Sequence, residues 1–81
     1  MDVLYFAWVR ERIGLPREQV ETRAATVREL IADLRGREER YAAAFADLDA
    51  LRVAVDQELT DFDADVTHAR EVAFFPPMTG G

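Results

Sequence analysis

The 81 residues suffice for one domain and no more, since a chain of this length buries only about 60–65% of its unfolded surface. That leaves little room for an enclosed catalytic pocket, typically about 300–1,000 Å³. A formal charge of −6 excludes nucleic-acid binding through clustered cations and makes a basic partner surface the natural expectation. Cysteine and serine are both absent, which removes disulfides, thiolate metal sites and catalysis by a Cys or Ser nucleophile; all ten basic residues are arginine.

Taken in chain order, Val3 to Val9 is rich in β-branched and aromatic residues and predicts a strand. Gly14-Leu15-Pro16 interrupts the pattern, and Gln19 to Thr22 predicts a second strand, so residues 3–23 are expected to form a hairpin with an irregular connection. The strongest helix signal follows. Thr26 and Glu29 form a capping box, Val27, Leu30, Ile31 and Leu34 share one face, and Gly36 stops the helix. A weaker period through Tyr41, Phe45 and Leu48 predicts a short second helix within Glu38–Leu48.

Leu51, Val53 and Val55 alternate as a half-buried strand, Asp56-Gln57 predicts a turn, and Glu58-Leu59-Thr60 a return strand. Glu71 to Phe75 is the last strand, stopped by Pro76 because proline cannot donate to a ladder. The order points to an α+β class, a mixed sheet with a helix packed on one face. Nothing resembles a secretory signal or a membrane span, so a soluble, cytoplasmic protein is expected, with no membrane partner.

Few residues are left to carry chemistry. Asp61-Phe62-Asp63-Ala64-Asp65 begins like a calcium loop, but Val66 and Val72 stand where the loop needs Gly and Glu, so no metal site is expected. His68 is the only histidine and has no nucleophile to activate. Phe74 and Phe75 must face opposite sides of a sheet, and the outward ring, with Phe6 or Trp8, suits a partner patch.

The ending is the remaining candidate. Pro76-Pro77 restrict the backbone, and Met78-Thr79-Gly80-Gly81 finish in small residues able to pass a narrow channel. Pro76 to Gly81 reaches at most roughly 20 Å when extended.

Phe74-Phe75-Pro76-Pro77-Met78-Thr79-Gly80-Gly81 resembles the C-terminal signature of the molybdopterin synthase small subunits, sulfur carriers of the ubiquitin-like β-grasp superfamily. The similarity extends over Val3-Leu4-Tyr5-Phe6-Ala7, Val9-Arg10-Glu11, the helix capped by Thr26, Val53-Ala54-Val55 and Glu71-Val72-Ala73. Asp56 replaces the usual Asn, Ala69-Arg70 the usual Gly-Asp, and Met78 the usual Val. The resemblance implies a β-grasp domain over residues 1–75 and a protruding tail over 76–81.

It further implies that Gly81 is the reacting residue. An E1-like adenylyltransferase would use ATP to adenylate its carboxylate, and a cysteine desulfurase or rhodanese-type donor would supply sulfur to form a thiocarboxylate. Gly80, Thr79, Met78, Pro77 and Pro76 would then insert into the large subunit of a heterotetrameric synthase, where sulfur passes to cyclic pyranopterin monophosphate. Phe75, Phe6 and Arg10 are the expected partner surface, and no cofactor is bound permanently. A carrier for thiamine or tRNA thiolation, a ubiquitin-like modifier and a non-catalytic β-grasp interaction module remain the alternatives.

Overall fold

The computed structural model describes residues 1–77. Its first strand, β1 (Asp2–Tyr5), is shorter than the sequence suggests. Phe6 adds one more step, its N–H donating to the Phe74 carbonyl at 3.1 Å. Ala7 then takes a left-handed conformation, φ 52°, and the chain enters helix α1 (Ala7–Ile13). The expected strand through Val9 is therefore corrected to a strand followed by a helix. The physical reason lies in the partner strand, where Pro76 follows Phe75 and offers no N–H to extend the ladder. Val9 and Ile13, four residues apart, bury instead on one helical face. Gly14, at φ 92°, closes the helix by donating its N–H to the Arg10 carbonyl at 2.7 Å.

The second strand, β2, spans Arg17–Gln19 rather than Gln19 to Thr22. Its place is set by antiparallel pairing with β1, Asp2 opposite Gln19 and Leu4 opposite Arg17. Helix α2 (Val27–Arg35) forms as its sequence predicts. Thr26 Oγ1 accepts from the Glu29 N–H at 3.2 Å, and its hydroxyl donates to the Glu29 carboxylate at 3.3 Å, while Val27, Leu30, Ile31 and Leu34 are buried. Helix α3 (Glu39–Ala44) ends early and a 3₁₀ turn covers Leu48–Ala50. Phe45 leaves the helix to meet Phe74 edge-on, ring centroids 5.0 Å apart.

Strands β3 (Arg52–Val55) and β4 (Glu58–Thr60) are joined by Asp56-Gln57, both at positive φ (49° and 71°), as a tight two-residue hairpin requires. The Asp56 carboxylate accepts the N–H groups of Arg70 and Glu71 at 2.9 and 3.0 Å, which fastens the turn to the start of β5 (Glu71–Phe75). The strand order is β2-β1-β5-β3-β4; β1 and β5 run parallel and the other pairs antiparallel. Helices cover one face of this mixed sheet, the β-grasp arrangement. Tyr5, Phe45 and Phe74 are the largest fully buried side chains of the intervening core. Among the described residues no helix is long and apolar enough to cross a membrane.

Candidate functional site

Strand β5 is central, and its alternation decides what lies beside the departing chain. Val72 and Phe74 are wholly buried under the helices, whereas Glu71, Ala73 and Phe75 belong to the opposite, open face. The strand registers place Arg17, Leu4, Ala73, Ala54 and Leu59 in one row across that face. Arg52 is paired with Phe75 in the next row, and Phe6, one step beyond the Tyr5–Phe74 pair, is level with Phe75 on its other side. Leu59 is 71% exposed and Phe6 45%, the two large hydrophobic side chains left exposed among the described residues, and both belong to this face.

At the other end of the same face the surface turns polar. Arg17 Nη2 donates to Asp2 Oδ2 at 2.6 Å, and Gln19 Nε2 donates to the other oxygen of Asp2. Arg10 lies exposed in the last turn of the short helix α1, its N–H donating to the Phe6 carbonyl at 3.4 Å. Arg52 is exposed, with Nη1 donating to the Leu51 carbonyl at 2.7 Å. An apolar area bordered by arginines thus adjoins the end of β5.

Of the residues singled out in the sequence, Phe75, Phe6 and Arg10 are brought together here, and half-buried Pro76 and Pro77 follow directly. Met78, Thr79, Gly80 and Gly81 lie outside the described residues. Leu59, Leu4, Ala54 and Arg52 are additional members of this face. The signal for Leu59 was present: a two-residue turn at Asp56-Gln57 pairs it with Ala54, whose neighbours Val53 and Val55 face inward.

Several other polar groups have structural partners. Tyr5 and Tyr41 both donate to Glu18 Oε2, at 2.8 and 2.7 Å, on the helix-covered side of the sheet. Burial, followed by the bond to Glu18, holds the Tyr5 hydroxyl far above the usual phenol range and pushes Tyr41 up to about 12. Both phenols therefore stay protonated near neutral pH and act as structural donors.

Asp61 and Asp65 cap local turns, accepting from the Asp63 and Thr67 N–H groups at 2.9 and 2.7 Å, and the bonds from Thr67 hold the Asp65 carboxyl below its ordinary range. His68 is exposed. Among the described residues no three His, Cys, Asp or Glu side chains converge to hold a metal. A shallow groove beside α2 is crossed by Arg37, which bonds to the Glu21 carbonyl at 2.6 Å and the Asp33 carboxylate at 3.0 Å, and it lies off the open sheet face.

The family model described as "ThiS family" matches residues 3–81. The chain belongs to the ThiS family. Among curated relatives it is 43% identical to the molybdopterin synthase sulfur carrier subunit of Escherichia coli K12, over 100% of this chain and 99% of that one. It is 37% identical to the subunit of the same name from Haemophilus influenzae, with the same coverage. Among solved structures it is similar to SAMP1 from Haloferax volcanii, with a TM-score of 0.77 and 26% identity over 100% of this chain and 98% of that one. The ThiS-family match runs through the open-face residues and on to Gly81, so the strand and the segment that follows it belong to one alignable unit.

Proposed function

We propose that this ThiS-family protein is the sulfur-carrying small subunit of a molybdopterin synthase, with the Gly81 carboxyl group as the sulfur site. The observation that carries the reading is its similarity over the whole chain to two proteins named molybdopterin synthase sulfur carrier subunit. The residues supply a chemical reason. With no cysteine the chain cannot hold sulfur as a persulfide, and it has neither a serine nor a cysteine to act as an acyl-transfer nucleophile.

A free carboxylate is a poor acyl electrophile. An E1-like adenylyltransferase uses ATP to convert Gly81 to an acyl adenylate, releasing pyrophosphate. The persulfide of a cysteine desulfurase or rhodanese-type donor displaces AMP to give an acyl persulfide, and a second thiol, on the donor or in solution, cleaves its S–S bond, leaving a disulfide and the Gly81 thiocarboxylate. Residues 76–81 act as the reactive arm, carrying it into the large subunit, where sulfur is transferred to cyclic pyranopterin monophosphate. Binding the sulfur source beside its acceptor replaces a diffusional encounter. The protein is then a regenerated co-substrate of a cytoplasmic sulfurtransferase, working in a heterotetramer.

The open face bearing Phe6, Leu59 and Phe75 is the docking surface for the large subunit. Its border of Arg10, Arg17 and Arg52 suits acidic groups around the partner's apolar contact, despite the chain's own negative charge.

Incubation with an activating enzyme, ATP and a sulfur donor is expected to exchange one oxygen for sulfur in the intact mass. An unchanged mass, while a known carrier is converted in parallel, would overturn the reading. A variant with one alanine appended after Gly81 is expected to keep its fold and lose the exchange. If deleting Gly80-Gly81 left sulfur transfer intact, the non-catalytic interaction module would be the better description.

A further inference from the structure

The charge of this protein has a chemical peculiarity that its fold does not require. Ten cations are distributed over a chain of 81 residues, and every one is arginine. Lysine and arginine are equally able to give a surface positive charge, but they differ as nucleophiles. The guanidinium stays protonated in proteins, with a pKa above about 12, and has no free lone pair to offer an electrophile. A lysine of ordinary pKa, about 10.4, is unprotonated in roughly one molecule in 250 at pH 8.

Position makes the difference matter. Arg52 is paired with Phe75, the residue immediately before Pro76, and Arg10 bonds through its backbone to Phe6, level with Phe75. Both side chains are exposed. Pro76 to Gly81 spans at most roughly 20 Å of chain, and Arg52 and Arg10 stand beside its first residues. The α-amino group of Met1 donates to the Val20 carbonyl at 3.0 Å. Because β1 and β5 run parallel, with Asp2 level with Glu71, Met1 lies at the end of the sheet opposite to the one the tail leaves.

We propose that Arg52 and Arg10 keep the approach to Gly81 cationic but free of amines, so that an activated Gly81 acyl group is not captured by its own domain. The inference rests on the reading of Gly81 as an activated carboxyl group and adds a specificity determinant to it. The reaction avoided is aminolysis. A lysine Nε attacks the Gly81 carbonyl carbon, the C–N bond forms, and the bond to the leaving group breaks. The leaving group departs with the electron pair, and the amine's proton passes to it or to solvent. The product is a dead-end amide that can accept no sulfur.

The test needs no activating enzyme, which separates its outcome from that of the proposed pathway. The full chain is prepared through an intein as a Gly81 thioester of 2-mercaptoethanesulfonate, in wild-type, Arg52→Lys, Arg10→Lys and Arg52→Gln forms. Each is followed by intact mass at pH 8. Wild type and Arg52→Gln are expected to hydrolyse to the free acid. The lysine variants are expected to give in addition a product one water lighter than the acid, or a covalent dimer, at least about tenfold faster than wild type gives any amide. Tryptic mapping should place the bond at residue 52 or 10. Circular dichroism with wild-type melting identifies folded variants, in which both lysines are exposed. Hydrolysis alone in both folded lysine variants would overturn the inference, as would wild type forming an amide as fast as they do. Failure of enzymatic thiocarboxylation, by contrast, would count against the pathway and leave these thioester rates as they were measured.

Discussion

Tyr41 on α3 donates its hydroxyl proton to Glu18 Oε2 at 2.7 Å, joining residues 23 apart in sequence and tying α3 to the β2 edge. Tyr5 donates to the same oxygen at 2.8 Å, so one carboxylate secures two elements against β1. Burial first, and then this bond, push Tyr41 up to about 12 from its ordinary 10.0. The folded state thus holds a proton that the unfolded state releases above pH 10. The associated stability is fully present below about pH 10 and is lost as pH rises through about 12. Glu18→Ala is expected to bring tyrosinate absorbance at 295 nm to lower pH and to cost about 2–4 kcal/mol at pH 7 by leaving two phenols without an acceptor. Urea denaturation checks the second number, and an unchanged phenol titration would refute the coupling.

Gln57 occupies the second turn position between β3 and β4 at φ 71°, where a side chain is strained. Gln57→Gly is expected to stabilise the protein by about 0.5–1 kcal/mol, raising Tm by roughly 2–8 °C. Asp56→Ala should lower Tm instead, because two N–H groups at the start of β5 lose their acceptor. Differential scanning calorimetry of the two variants separates strain from capping.

Phe74 and Phe75 are adjacent and should respond very differently. Phe74 is fully buried against Tyr5 and Phe45, and Phe74→Ala is expected to cost about 3–5 kcal/mol. Phe75 is half-buried on the open face, and Phe75→Ala should cost about 1 kcal/mol or less while weakening partner binding. Chemical denaturation of both, with calorimetric titration of the second against the large subunit, tests the assignment of faces.

Leu59→Arg and Phe6→Asp place charge on the exposed apolar rows. Each is expected to change stability by no more than about 0.5 kcal/mol and to weaken the complex with the large subunit at least about tenfold. Unaltered affinity in both would move the docking surface to another part of the molecule.

Much of this architecture was legible because its signals are local. The capping box at Thr26, the i, i+3, i+4 and i+7 face of α2, the turn at Asp56-Gln57 and the stop at Pro76 each act within a few residues, and the structure follows them. The segment from Ala7 to Ile13 did not follow its strand propensity. Its Val9–Ile13 spacing and the glycine after it are helix signals, but Trp8 and the β-branched residues beside them favour extended backbone equally well. Tertiary context settled the matter, since β5 offers no ladder beyond Phe75.

By itself the sequence determined which chemistry this protein lacks and where a reacting group could sit, because residue types are complete information about functional groups. No cysteine, serine or lysine competes with the segment ending in Gly80-Gly81. Only the tertiary structure decided which side chains stand beside Phe75, at the end of β5. Leu4, Ala54, Leu59 and Arg52 reach one face with Phe6 and Phe75 through a parallel pairing of β1 with β5 and an antiparallel pairing of β3 with both neighbours. Apart from the β3–β4 hairpin, which its turn makes local, those pairings join segments far apart in the chain. Their register depends on burying Val3, Tyr5, Val53, Val72 and Phe74 together under the helices, which no local pattern records.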